Sequence, residues 1–209
     1  TSNGGAAISD YAIQYSSNSG STWTTFTDGV STSTSATVTG LTNGTSYIFR
    51  VAAINTWGTG SYSTSSATTN PFTTPSAPTN VAGSPSSAQV TVTWTAAPAN
   101  GRAVTDYIIQ FSSNSGSTWS TFTDVTSTAT SATITGLTNG VAYVFRVAAT
   151  NSAGTSSYST TSASATPQSV PSLPTNVAGT GGNAQVSLVW TTPTSNGGRS
   201  ITDYIVQFS

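Results

Sequence analysis

Apolar and polar residues alternate with a period of two through much of this chain. Gln89–Trp94 (QVTVTW) puts Val90, Val92 and Trp94 on one face. Tyr107–Phe111 (YIIQF) does the same with Tyr107, Ile109 and Phe111, and Ala142–Ala149 (AYVFRVAA) with Tyr143, Phe145 and Val147. Ala132 and Ile134 alternate with threonines between these runs. Such alternation marks strands with one buried face, and no stretch carries the 3.6-residue period of a helix. Clusters of Gly, Asn, Ser and Pro separate the runs, as turns require. Seven short strands within roughly 95 residues predict a β-sandwich, with one apolar layer between two sheets.

The pattern repeats. NSGSTW occurs at Asn18–Trp23 and Asn114–Trp119, LTNG at Leu41–Gly44 and Leu137–Gly140, and FRVAA at Phe49–Ala53 and Phe145–Ala149, each pair 96 residues apart. PTNVAG starts at Pro78 and again at Pro174, and Asp-Tyr recurs at Asp10, Asp106 and Asp203. A period of this size is a domain, well above the unit of a solenoid. Proline-rich stretches at Asn70–Asn80 and Thr166–Asn176 mark the boundaries. The expected organisation is a partial domain over residues 1–70 that lacks the first two strands, a complete domain over 75–168, and a partial domain over 172–209 with only the first three strands. A fragment that short leaves an unpaired sheet and an open core. We therefore expect a window on a longer array, or end fragments completed by neighbouring chains.

At these residues the complete unit resembles a fibronectin type III domain. The likeness rests on the boundary PSAPTNV (Pro75–Val81), on Trp94 ending strand B, on Tyr107–Phe111 as strand C, and on LTNGVAYVFRVAATN (Leu137–Asn151). It implies an all-β chain of tandem Ig-like, seven-stranded β-sandwiches. It also implies that Trp94 and its copy Trp190 belong to the core. The pairs Leu137 and Tyr143, and Leu41 and Tyr47, would form a corner in which the phenol bonds backbone a few residues upstream. Near-identical Ser/Thr-rich copies resemble arrays found on bacterial surface proteins, secreted enzymes and phage particles. The implied location is extracellular: a bacterial cell surface, a secreted protein, or the exterior of a virion.

Composition narrows the chemistry. Charged residues make up 4% of the chain and the net charge is −1, against about 25% charged in an average globular protein. No basic patch exists to hold a nucleic acid or an anionic membrane, and no run approaches the ~20 apolar residues that insert into a bilayer. With no His, Cys, Met, Lys or Glu, thiolate chemistry, imidazole general-base catalysis, disulfides and His/Cys zinc sites are excluded. Ser and Thr exceed a third of the chain, but five Trp, eight Tyr and seven Phe are more aromatics than a disordered chain carries.

Few residues remain as site candidates. Asp106 opens one strand and Asp124 follows the next, joined by a hairpin through Ser113–Gly116. The expected register sets Asp106 opposite about residue 123, within cross-strand reach of Asp124. Two carboxylates so placed match a glycosidase pair or a weak oxygen-only calcium site. The plainer reading, and the one expected, is two solvated carboxylates or a pairing with Arg102. Arg102 and Arg199 sit in matching loops, as NGR and NGGR, and are candidates for partner binding, NGR resembling an adhesion tripeptide. Trp57, in NTWGTG, has Ala153 as its counterpart, so the fold does not need it. It either stacks on a sugar or partner or packs against a preceding domain. Phe72, in the linker NPFTTP, is expected to bury against a flanking domain. Arg50 and Arg146 face away from the core and are expected to lie over threonines or an aromatic ring.

The function expected from these features is a non-enzymatic structural or adhesive module of a longer protein, without a cofactor. Its partners would be neighbouring repeats of the same chain, other proteins of a fibre or particle, or surface glycans. The alternative is an accessory linker or carbohydrate-associated region of a secreted polysaccharide-degrading enzyme.

Overall fold

The computed structural model describes residues 3–209, and among them all regular structure is β. The chain divides into two compact units. One holds residues up to Pro75 with Ala99–Ala103 and Asn151–Gly154; the other holds Ser76–Pro98, Val104–Thr150 and Thr155–Ser209.

The first repeat forms a single sheet of β1 (Asp10–Ser16), β2 (Thr24–Phe26), β3 (Ile48–Asn55) and β4 (Gly58–Thr59), in the order β2-β1-β3-β4. The middle repeat has seven strands: β5 (Thr79–Ser86), β6 (Gln89–Thr95), β7 (Asp106–Ser112), β8 (Ser120–Thr121), β9 (Ser131–Thr135), β10 (Val144–Asn151) and β11 (Gly154–Thr155). They form two sheets, β5-β6-β9 and β11-β10-β7-β8. The last repeat supplies a hairpin, β12 (Thr175–Gly182) with β13 (Gln185–Thr191), and residues 203–209 carry no strand.

The inward positions of the middle repeat form one core. Val90, Val92, Ile109, Ile134, Phe145 and Val147 are buried, with Trp94 edge-on to Tyr107 at 5.2 Å between ring centroids. Gly83 lies in β5, where a Cβ would sit 3.2 Å from the Phe145 ring and 3.0 Å from Val90. The missing side chain makes room for the phenyl group. Both β5 and β12 carry a bulge after their first residue, with Asn80 and Asn176 at φ of 54°. Asparagine tolerates this left-handed conformation better than bulkier residues.

The segment after β10 follows an unusual rule. Ser156, Ser159, Ser162 and Ala165 donate backbone N–H to the carbonyls of Ala149, Val147, Phe145 and Tyr143. Three residues on one side thus match two on the other, a serial bulge. The N–H groups of Phe145, Val147 and Ala149 would go unpaired in such a ladder, and each donates instead to a serine Oγ, of Ser162, Ser159 and Ser156, at 3.0 Å. The first repeat does the same with Ser66 and Ser63 against Phe49 and Val51.

Candidate functional site

The aspartates that open β1 and β7 serve the fold first. Asp10 accepts a hydrogen bond from the Ser31 N–H and Asp106 from the Ser127 N–H, both at 3.0 Å. Each carboxylate pins the segment that leaves its sheet. The expected register of Asp106 is corrected by two residues: β7 and β8 pair Gln110 with Thr121 and Phe111 with Ser120, so position 106 is level with 125. The cause is a wider turn, in which Asn114 Oδ1 accepts from the Ser112 hydroxyl and the Thr118 N–H. The Asp124 carboxyl is pushed above its ordinary range by burial, opposed by a backbone hydrogen bond and reinforced by the charge of Asp106. It lines a cleft of about 290 Å³ with Trp94, Tyr107, Phe122 and Ser127. Among the described residues, no group of three or more His, Cys, Asp or Glu is placed to hold a metal ion.

The strand arginines form a repeated assembly. The Arg146 guanidinium lies 4.2 Å from the centre of the Trp119 ring and 4.3 Å from that of Tyr158, and Nε and Nη2 both donate to Gln110 Oε1. Arg50 repeats this with Trp23, Tyr62 and Gln14. Trp119 also packs on Gly116, at whose φ of 89° a side chain would be strained and whose Cβ would lie 3.2 Å from the indole. The indoles are therefore engaged by the sheet itself. Alternation placed these arginines on the outer face; the Trp and Tyr that clamp them come from elements distant in sequence.

The corner tyrosines are buried, and their phenol oxygens accept from the N–H of Thr42 and Thr138, five residues upstream. Leu137 is buried in the core, and Leu41 is half-buried. Trp94 is buried with no hydrogen-bond partner for its indole N–H, and Trp190 is half-buried against Tyr204 at 5.2 Å.

The loop candidates separate. Arg102 stacks on Phe72, with its guanidinium carbon 4.2 Å from the ring centre and the ring 47% exposed. Asn151, which is buried, donates to the carbonyls of Thr73, Ala99 and Arg102 and fixes the same loop. The Arg199 side chain is exposed. Trp57 is 85% exposed at the rim of a cleft of about 340 Å³ lined by Asn3, Ile8, Ala53 and Asn55. Its backbone N–H bonds to Asn55 Oδ1, as the Ala153 N–H bonds to Asn151 Oδ1. The loop conformation is thus common to both repeats, and only the indole is extra.

The serine ladder is what reading the sequence missed. Its signal is the three-residue spacing Ser156, Ser159, Ser162 and Ala165, hidden among so many other hydroxyl residues.

The profile described as "Fibronectin type III domain" matches residues 1–69 and 76–165. The Kelch domain-containing protein SSO1033 of Saccharolobus solfataricus is 47% identical over 77 residues, 37% of this chain and 10% of that protein. Exoglucanase B of Cellulomonas fimi is 32% identical over 196 residues, 85% of this chain and 17% of that protein. The chain thus spans a small part of either relative. Among solved structures, the chicken CNTN1 FN1–FN3 domains align over 92% of this chain and 68% of that one, at 26% identity and a TM-score of 0.49. Titin domains A168–A170 align over 75% and 54%, at 22% identity and a TM-score of 0.43.

Proposed function

This chain belongs to the fibronectin type III family, and we propose that it is a non-enzymatic spacer or display segment of a longer extracellular protein. The observation that carries this reading is what the repeated polar residues do. Asp10 and Asp106 tie down crossing segments, and Arg50 and Arg146 sit clamped between rings. The hydroxyls of Ser63, Ser66, Ser156, Ser159 and Ser162 cap strand amides. These recurring side chains are engaged in holding each repeat together, and the Asp106–Asp124 pair is read as two solvated carboxylates. Trp57, which does not recur, is free to meet a neighbouring repeat, a fibre protein or a glycan. Repetition then makes weak contacts additive, and the near-absence of charge leaves little electrostatic steering.

A second reading, the linker region of a secreted polysaccharide-degrading enzyme, is favoured by the alignment with Exoglucanase B across 85% of the chain. Family membership does not choose between them. Incubating the chain with microcrystalline cellulose tests the first. It should release no reducing sugar; sugar release above a heat-denatured control contradicts it. Depletion that Trp57→Ala abolishes favours the second. A glycoside hydrolase domain encoded in the same reading frame would decide for the second.

A further inference from the structure

The complete middle repeat guards most edges of its two sheets. Pro85 takes a donor away from β5, and β8 has only two residues. The segment after β11 meets β10 through amides capped by serine hydroxyls. The remaining edge, β9, has none of these devices. Its sequence SATIT carries no charge and no proline, and it pairs with β6 without a register shift. Natural sheets blunt an exposed edge because its unpaired N–H and C=O groups template a further strand.

The ladder shows which groups of β9 are free. Trp94 donates its N–H to the Thr130 carbonyl, and the Thr91 and Thr133 hydroxyls meet at 3.0 Å. In an antiparallel pair these mark the hydrogen-bonded and the non-hydrogen-bonded steps. The backbone groups of Ser131, Thr133 and Thr135 therefore point away from β6, along the open edge, and their side chains are exposed. Beside Ala132 lies the cleft of about 290 Å³, with the buried Trp94 and Tyr107 at its floor and Phe122, Asp124 and Val125 across from β9. Val125 is 82% exposed, an apolar wall without a cover. Asp124 is exposed as well, and among the described residues no arginine forms an ion pair with it.

We propose that β9 takes an extended segment of a partner protein as an added strand, with one apolar side chain of that segment in the cleft and a lysine or arginine two positions along it at Asp124. The segment residue opposite Ala132 points inward over Trp94, and its own N–H turns away from β9. Its two neighbours, opposite Ser131 and Thr133, exchange backbone bonds with the edge and point to solvent. A cation two positions from the inward residue returns to the same face. Backbone pairing gives such an addition its affinity, and the cleft gives it specificity. A one-residue slip carries both side chains out of the cleft. The carboxylate selects for a basic segment and against an acidic one. Of the four arginines of this chain, three are stacked on its own rings, which points to another protein as the source of the cation. This contact is independent of Trp57 and holds for either reading of the array.

The probe is a capped peptide, Thr-Thr-Leu-Thr-Lys-Thr-Thr, titrated into the whole chain and followed by NMR. It should shift the amides of Ser131 and Thr133 and the indole N–H of Trp94. N-methylation of the threonine between leucine and lysine removes a donor that faces β9 and should abolish binding. N-methylation of the leucine, whose N–H faces away, should leave binding in place. Asp124→Asn should weaken binding about two- to fivefold, and a glutamate in place of the peptide's lysine should weaken it further. A peptide that leaves these signals unmoved overturns the proposal, as does equal loss from the two N-methylated forms. Movement of the same signals by cellohexaose but not by the peptide would make the cleft a glycan site and overturn it. Movement on raising the concentration of the chain alone would make a second copy the occupant, with the same consequence.

Discussion

The first and middle repeats share most of their sequence, yet one has a closed core and the other an open face. Their surface devices are the same. Tyr47 and Tyr143 accept the same upstream bond, and Arg50 and Arg146 sit in the same ring clamps on the same glutamine position. These depend on neighbours within one sheet. Phe145 and Val147 are fully buried, but Phe49 is only half-buried and Val51 exposed. Burial of that face needs the second sheet. The comparison separates what a single sheet organises from what only a sandwich stabilises, and area removed from water is the larger contribution to stability.

The sharpest break is Trp94→Ala. Emptying the site of a buried indole costs about 3–5 kcal/mol, a large share of the ~5–15 kcal/mol that holds a domain. Calorimetry should show the middle repeat losing its transition. An unchanged melting curve would remove Trp94 from the core. Next, Phe145→Ala should cost about 3–5 kcal/mol and Phe49→Ala clearly less, because its ring is already partly wet. Equal losses in denaturant titration would mean that the two faces are equally covered.

Ser159→Ala sharpens the comparison at the strand edge. It leaves the Val147 N–H without its acceptor in a buried place, a loss of about 1–3 kcal/mol. Ser63→Ala, at the same step of the first repeat, exposes the Val51 N–H to water and should cost less. Arg146→Lys keeps the charge but loses the paired hydrogen bonds to Gln110 and the planar stack, for about 0.5–1 kcal/mol. Arg50→Lys should match it, since this clamp is complete in both repeats.

The smallest effect is one of pH. The raised Asp124 carboxyl holds its proton more tightly in the folded state than in the unfolded one. Its contribution is fully present below the ordinary aspartate range and fades as pH rises through the raised value. The stability gained by Asp124→Asn should therefore grow from acid towards neutral pH. A gain independent of pH would contradict the cause assigned to the shift.

Much of this was legible in advance because period-two alternation exposes inward residues directly. Val90, Val92, Trp94, Tyr143 and Phe145 could be read off as a core. What stayed hidden depends on partners distant along the chain. The serines at 156, 159 and 162 look like solvated hydroxyls until the strand amides they cap are known. The hairpin register was set by how Asn114 closes its turn, which counting residues does not reveal. Nor does the linker sequence indicate that Arg102 lies over Phe72, because that stack needs the loop shape held by Asn151.

Amide hydrogen exchange on this chain tests the central comparison directly. The N–H groups of Phe145 and Val147 should exchange only through global opening of the middle repeat, and those of Phe49 and Val51 orders of magnitude faster, through local opening of an uncovered sheet. Equal protection at the two pairs would contradict the account, because it would mean that one sheet alone is as stable as the sandwich.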